Sequence, residues 1–296
     1  MPDATRNDVL VAIPTFKRPA LLAALLASLE GQVDGCRVLV IDNDPARSAE
    51  PVAAASAIAI DYVSHPVPGL AQVRNRALDS IDGESFLVFI DDDETADDGW
   101  LDALVTHART SRSAVVTGPV ISELPADAPR WIRRGGFIQR DRFATGDTIW
   151  TAASNNTALN VAAWRQLGSP RFDAAFSATG GEDTDFFARL VTAGAHIEWC
   201  DEAVVREPVA ADRLTLRWIT RRAYSAGLVV GVLRRRDQPA ARIAASSFAA
   251  TAVGAVQMLA EIVTFRGVQT KSFERTLGGI GRIASLFGAT ATSYPG

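Results

Sequence analysis

Residues 86–90 read Phe-Leu-Val-Phe-Ile, and residues 91–94 follow at once as Asp-Asp-Asp-Glu. Five apolar residues without polar alternation predict a short strand buried on both faces. Four carboxylates at the end of such a strand are costly unless a cation sits among them or water reaches them. Two readings stand side by side here. One is a divalent-ion site. The other is a solvated acidic turn capping the next helix, for which Asp97 and Asp98 are also suited.

The surrounding pattern bears on that choice. Apolar runs at 9–13, 38–41, 58–63 and 114–117 alternate with helical periodicity at 21–29, 46–57, 70–78 and 100–109. Strands alternating with helices predict an α/β fold with a mostly parallel, doubly wound sheet. Ligands of such sheets bind outside the carboxyl ends of the strands. Pro14-Thr15, Asp42-Asn43 and Asp91–Asp93 all fall at such ends, so three polar clusters converge on one crevice, which favours the ligand site over the solvated turn. Neither GxGxxG nor GxxxxGK[ST] occurs, so a dinucleotide fingerprint or a P-loop is unsupported. The 296 residues, 48% hydrophobic and 22% charged, suit one large α/β domain or a domain with an appendage. A net charge of −4 does not suggest nucleic-acid binding. The two cysteines, Cys36 and Cys200, lie far apart in apolar runs and are read as buried thiols of a reducing compartment. The N-terminal stretch lacks a basic-then-apolar leader pattern, so cytosolic exposure of the main domain is expected.

From 118 to 150 the pattern turns irregular, as lids and binding loops do. Trp131 and Trp150 flank that segment and suit either stacking on a bound ligand or core packing. A polar run, Ser154 to Thr157, precedes a short strand at 158–161. A flexible loop is expected at 177–181, and then Glu182-Asp183-Thr184-Asp185 opens a helix carrying Phe186 and Phe187. Acids in a first turn serve as caps; beside a Gly-Gly pair and two phenylalanines they also suit a positioned site. His65, His107 and His196 read as structural or surface residues. Beyond Pro208 come Arg213, Arg217, Arg221, Arg222, Arg234, Arg235, Arg236 and Arg242, opposed by Asp237. An uncharged stretch at 243–260 is at the lower limit for a membrane span and reads as a buried or interfacial helix. A last amphipathic pattern, Phe273, Leu277, Ile280, Ile283 and Phe287, is broken by Gly278-Gly279. This basic, apolar region suits an anionic membrane surface, or helices packed on the catalytic domain with a solvated basic face.

Five segments in order, VAIPTFKR, VLVIDND, PGLAQVRNRAL, FLVFIDDDE and GGEDTDFFARL, resemble the family 2 glycosyltransferases of GT-A fold over residues 9–225. The finer pattern, IDNDP, GGEDTDFF, EAVVREPV and RLTLRW, is most similar to succinoglycan-type (ExoM-like) exopolysaccharide glucosyltransferases. The resemblance implies a catalytic domain over 1–210, with a donor half to about 118 and an acceptor half over 119–210. Residues 211–296 would form a helical extension. It implies that Pro14 and Thr15 line a nucleotide pocket, with Arg18 and Asp92 beside it, and that Asp42 accepts from the uracil imide. Arg74 would contact base or phosphate, Asp91 the ribose or uracil, and Asp93 a Mg²⁺ or Mn²⁺ ion bridging the diphosphate. Asp183 matches the general base, with Trp131, Asn155, Gly181 and Glu182 on the acceptor side. Relatives carry a histidine metal ligand where Glu207 stands, which puts that contact in doubt. The QxxRW motif of processive relatives is incomplete, since Leu214 replaces its glutamine before Arg217-Trp218, and transfer of one sugar is expected. The implied substrates are a UDP-sugar, UDP-glucose foremost, and a polyprenyl-diphosphate-linked saccharide at the inner face of the plasma membrane.

Independently of any family, a nucleoside diphosphate leaving group needs its charge neutralised, and an acceptor hydroxyl needs a carboxylate base within reach. A nucleotidyltransferase would use similar acids, although the chain has no early glycine-rich, lysine-containing phosphate loop. A non-catalytic nucleotide-sugar or membrane scaffold is the third class.

Overall fold

The computed structural model describes residues 6–176 and 180–289, so residues 1–5 of the N-terminal stretch and the first three residues of the loop expected at 177–181 lie outside the described residues. In chain order the elements are β1 (Val9–Thr15), α1 (Pro19–Leu29), β2 (Arg37–Asp42), α2 (Glu50–Ala55), β3 (Ile60–Ser64), α3 (Leu70–Asp79), β4 (Phe86–Phe89), β5 (Thr95–Ala96), α4 (Trp100–Thr110), β6 (Val115–Thr117), β7 (Val120–Glu123), α5 (Arg130–Gly135), β8 (Thr148–Ile149), β9 (Thr157–Asn160), α6 (Val161–Gln166), α7 (Glu182–Thr192), β10 (Ile197–Trp199), β11 (Val205–Pro208), α8 (Leu216–Arg234), α9 (Ala240–Val263) and α10 (Thr270–Ser285). They group into two compact units. The first comprises Met1–Ile121, Arg140–Ser177 and Glu182–Glu207; the second Ser122–Gln139, Ala178–Gly181 and Pro208–Gly296.

The first unit is organised by an eight-stranded sheet in the order β3-β2-β1-β4-β9-β6-β10-β8. Every residue of β1 and β4 is buried, as strands covered on both faces must be. Side chains alternate across β1. Val9, Val11 and Ile13 meet Leu22 and Leu25 of α1 and Trp100 and Leu104 of α4. Leu10 and Ala12 instead meet Leu78 of α3 and Phe186 and Phe187 of α7. The strands β3, β2, β1 and β4 are mutually parallel, as expected for a doubly wound sheet.

The sheet departs from that pattern at β9, which runs antiparallel to both neighbours, with Thr157 opposite Phe89 of β4 and Thr117 of β6. The connection after β6 returns at the same end of the sheet, so β9 enters from the edge where β4 ends. An antiparallel strand inserted there delivers its leading turn, Ser154–Asn156, to the carboxyl ends of the parallel strands. Asn156 holds that turn in place. Its φ of 53° is a left-handed conformation that asparagine tolerates better than most residues. Its buried amide donates to the carbonyls of Pro119 (3.0 Å) and Ala203 (2.7 Å) and accepts from Trp100 Nε1 at 2.7 Å.

In the second unit α10 packs against both α8 and α9, and the contacts are made by small residues. A Cβ on Gly227 would fall under 3.0 Å from the backbone of Gly278, and one on Gly281 under 3.0 Å from Tyr224 O and Leu228 N. Gly278 and Gly279 therefore do not break the last helix, as the sequence suggested; α10 runs straight through them and they are where its neighbours touch it. The apolar stripe expected to pack α10 is correspondingly redistributed. Phe273 is buried, while Ile280 and Phe287 are exposed.

Helix α9 shows the same inversion. Its buried residues are Ile243, Ser247 and Gly254, while Phe248, Val256, Leu259, Ile262 and Val263 are each more than half exposed. Within the second unit, helix α9 thus leaves most of its apolar side uncovered. The helix has 24 residues with a mean hydropathy of 1.5 over its most apolar window, of which 17% is buried within the protein. Charge separates the units as well. The second carries fifteen Arg and Lys against six Asp and Glu, a formal +9; the first carries fifteen against twenty-eight, −13.

Candidate active site

The register of the first unit sets Thr15 beside Asp42 and Ala12 beside Phe89, so the ends of β1, β2 and β4 lie together. The four acids after β4 divide into two pairs by burial. Asp92 turns inward: Thr15 Oγ1 donates to it at 2.7 Å, Phe16 N at 3.4 Å and Arg18 Nη1 at 3.3 Å. It ties the end of β1 to the end of β4. Glu94 also turns inward, accepting from Asp91 N at 3.1 Å and from Asn155 Nδ2 at 2.7 Å. Asp91 and Asp93 are partly buried, with side chains 30% and 15% exposed, and Asp93 accepts from Arg18 Nη1 at 2.9 Å.

These acids strain against one another. Burial pushes Asp91 up to about 7, opposed by Arg74 and reinforced by Asp93 and Asp92. Burial likewise holds Glu94 well above the ordinary carboxylate range, with the Asp91 charge adding to it. Carboxylates raised in this way favour any added positive charge. Among the described residues no three His, Cys, Asp or Glu side chains form a metal cage. An ion such as Mg²⁺ held largely by a substrate's phosphates needs only one or two carboxylates, and Asp91 and Asp93 fit that lesser demand. Glu207 is otherwise engaged, accepting from Arg140 Nη2 at 2.6 Å.

Beside this cluster, Asp42 is fully buried. Its oxygens accept from Asp44 N (2.8 Å), Ala49 N (2.9 Å) and Tyr62 OH (2.9 Å), which folds the loop following β2. Asn43 Nδ2 donates to the carbonyls of His65 (2.6 Å) and Val67 (2.7 Å), fixing the next turn. Pro14 is buried at the end of β1.

Arg74 connects the acids to α7. Its buried guanidinium donates to Glu182 and lies 3.8 Å from Asp91, over the Phe172 ring at 5.8 Å. Two of the three acids in the first turn of α7 are thereby accounted for: Glu182 by Arg74, and Asp185, fully buried, by Arg189 at 2.7 Å. Asp183 differs. It is half-buried, accepts from Thr184 N at 2.6 Å, and lines a cavity of about 290 Å³ with Asn155, Arg140, Asp141, Thr117 and Trp199. Sequence reasoning missed Arg140 and Asp141. The available signal was the consecutive charged run Arg140-Asp141-Arg142 within the irregular segment. Two expected acceptor residues belong to the second unit. Trp131 lines a cavity of the second unit, and Gly181 belongs to that unit too, where a Cβ would fall under 3.0 Å from Val229. Trp150 is 80% exposed, and His107 is paired with Glu198 at 3.0 Å.

The sequence profile of glycosyl transferase family 2 matches residues 10–168. The chain belongs to that family. It is 36% identical over 240 residues to the succinoglycan biosynthesis protein ExoM of Rhizobium meliloti (strain 1021), covering 79% of this chain and 77% of ExoM. It is 28% identical over 300 residues to the pre-mycofactocin glycosyltransferase of Mycobacterium tuberculosis (strain CDC 1551 / Oshkosh), covering 97% of this chain but 57% of that protein. Among solved structures, S. aureus TarS 1-349 in complex with UDP-GlcNAc superposes with a TM-score of 0.51 at 14% identity, over 74% of this chain and 66% of that one, a likeness of fold. As a family 2 glycosyltransferase of GT-A fold, the chain is a sugar-transferring enzyme. Its strand-end acids and the Asp183 cavity both lie in the first unit.

Proposed function

We propose that this family 2 glycosyltransferase moves one glucose from UDP-glucose to a polyprenyl-diphosphate-linked saccharide in bacterial exopolysaccharide synthesis, with inversion at the anomeric carbon. The observation that carries the reading is the sorting of acids on α7. Glu182 and Asp185 are held by arginines, while Asp183 faces a cavity. The similarity to ExoM supports the exopolysaccharide setting, and Leu214 in place of a glutamine supports a single transfer.

In this reading the acceptor hydroxyl lies against Asp183, which takes its proton as the oxygen attacks the anomeric carbon from the face opposite the UDP. General bases of this kind contribute ~10²–10⁴-fold in rate. Arg74 and Arg140 set positive charge beside the acids and favour an incoming diphosphate. Arg18 fixes Asp92 and Asp93, and Asp42 braces the loop that borders the nucleoside. A Mg²⁺ or Mn²⁺ ion held by Asp93 and Asp91 would supply neutralisation of the leaving diphosphate. The second unit, at +9 and with α9 turned apolar side out, would rest on the anionic inner face of the plasma membrane. Release of UDP, measured over a set of UDP-sugars with and without Mn²⁺ and acceptor, tests the assignment. Pyrophosphate release instead would indicate nucleotidyl transfer, and no release with any donor would indicate a scaffold. Complete recovery in soluble fractions after a salt wash without detergent would remove the membrane contact.

A further inference from the structure

The second unit contains a cavity of about 740 Å³, in the ~300–1,000 Å³ range of pockets that hold small-molecule ligands. Its walls are apolar, built from Trp131 and Phe137 around α5, Leu214, Met258 of α9, and Val268 and Phe273. Three arginines, Arg130, Arg134 and Arg266, line it, and no acid does. All three are exposed, and among the described residues none is paired with a carboxylate. The acid closest in sequence to Arg266 is Glu261, whose carboxylate accepts from Gln269 N at 2.9 Å and Ser272 Oγ at 2.7 Å. An apolar chamber bordered by unpaired guanidinium groups is complementary to an amphiphile with an anionic phosphate head, since guanidinium recognises phosphate oxygens through paired N–H donors.

The cavity adjoins the outward apolar face of α9. Met258 lines the cavity while its neighbour Leu259 is 62% exposed. Helix α9 then ends in a reversal closed by a bond from Arg266 N to Glu261 O at 3.0 Å. The residue in the left-handed position of that reversal is Phe265, with φ 55° and 89% of its surface exposed. Glycine normally occupies such a position. A phenylalanine there gains no packing within the protein, yet it stands directly beside an arginine of the cavity.

We propose that this cavity takes one chain of an anionic phospholipid, with its phosphate against Arg130, Arg134 and Arg266, when the second unit lies on a membrane. The inference rests on the membrane-surface reading given above and adds to it a discrete site. Full-length protein should be titrated, by native mass spectrometry and tryptophan fluorescence, with dihexanoyl phosphatidylglycerol, dihexanoyl phosphatidylcholine and farnesyl phosphate below their micellar concentrations. In parallel it should be floated on phosphatidylglycerol vesicles. The expected result is a one-to-one complex with monomeric phosphatidylglycerol, at least tenfold weaker with phosphatidylcholine. Val268→Trp, which fills the chamber, and the exposed triple variant Arg130→Gln/Arg134→Gln/Arg266→Gln should each weaken that complex at least tenfold, while Val268→Trp still floats. Absence of the complex, with flotation retained, would overturn the site and leave the surface reading standing. Farnesyl phosphate binding more than tenfold tighter than phosphatidylglycerol would overturn the choice of ligand in favour of an isoprenoid phosphate. Wild-type protein that stays off the vesicles would overturn the surface reading and the site together.

Discussion

The two units differ in what makes their helix contacts and in how much apolar surface they leave uncovered. In the first, Trp100, Phe89, Phe186 and Phe187 are fully buried, and two layers of helices shield the sheet. In the second, glycine, serine and threonine form the helix contacts while Phe248, Val256, Leu259 and Phe265 face out. Each such side chain left in water forgoes roughly 1.5–3 kcal/mol relative to burial. Small residues at helix contacts with large ones outside are the arrangement of helices solvated by lipid. On the proposed membrane-surface reading the two units would be shaped for two surroundings, and the −13 and +9 charges follow the same division.

The comparison can be broken at several points. The largest effect should come from Asp183→Asn, which lowers sugar transfer by ~10²–10⁴-fold and leaves UDP binding intact, as rate measurements and calorimetry would check. A fully active variant would remove Asp183 from its role. Next, Gly281→Val sets branched carbons against the backbone of Tyr224 and Leu228; overpacking of this kind costs about 1–3 kcal/mol or more, visible as a lowered thermal midpoint. An unchanged midpoint would mean that the helices of the second unit are not closely packed.

A third test concerns charge in the first unit. Burial lifts Asp91 from its ordinary 3.8 to about 7. Between those values the folded protein holds a proton that the unfolded chain has released, so this group's contribution to stability falls as pH rises through the window. In metal-free buffer the wild type should therefore lose more stability than Asp91→Asn between about pH 4 and about pH 7.5. UDP with Mn²⁺ should narrow the difference, and equal slopes would refute the electrostatic account of the cluster. The smallest effect is expected at Phe265. Replacing it by glycine relieves a left-handed conformation worth about 1–2 kcal/mol, raising the thermal midpoint slightly while weakening flotation on anionic vesicles. A fall in both would assign Phe265 a packing role.

The same contrast decides what could be read from sequence. Strands β1, β2 and β4 were legible because burial on both faces leaves an unbroken apolar run, and the strand-end acids were legible because they break it. The direction of β9 was not, since its four residues carry no record of which way their neighbours run. Helix α5 and Arg140 were hidden in a segment without periodicity. In α10 the amphipathic period was legible, but Ile280 and Phe287 of its apolar pattern are exposed while Phe273 is buried. An apolar stripe indicates what a helix keeps from water, and only the partner helices show that Gly278, Gly279 and Gly281 make the contact. Among the acids of α7, Asp183 was singled out by resemblance alone, and the arginine partners of Glu182 and Asp185 are what the structure adds.

Arg74 has a kinetic consequence. One buried guanidinium is shared between Asp91 at the strand end and Glu182 at the start of the helix that carries Asp183. In the proposed reaction, a diphosphate drawing on Arg74 would compete with Glu182 for it, so arrival of the donor would be felt at the turn bearing Asp183 before any acceptor is present. The order of substrate addition then becomes a property of a single side chain. Donor first, acceptor second is the expected sequence, with UDP competitive against the donor alone. Arg74→Lys, which keeps the charge but not the fork, should make that order random.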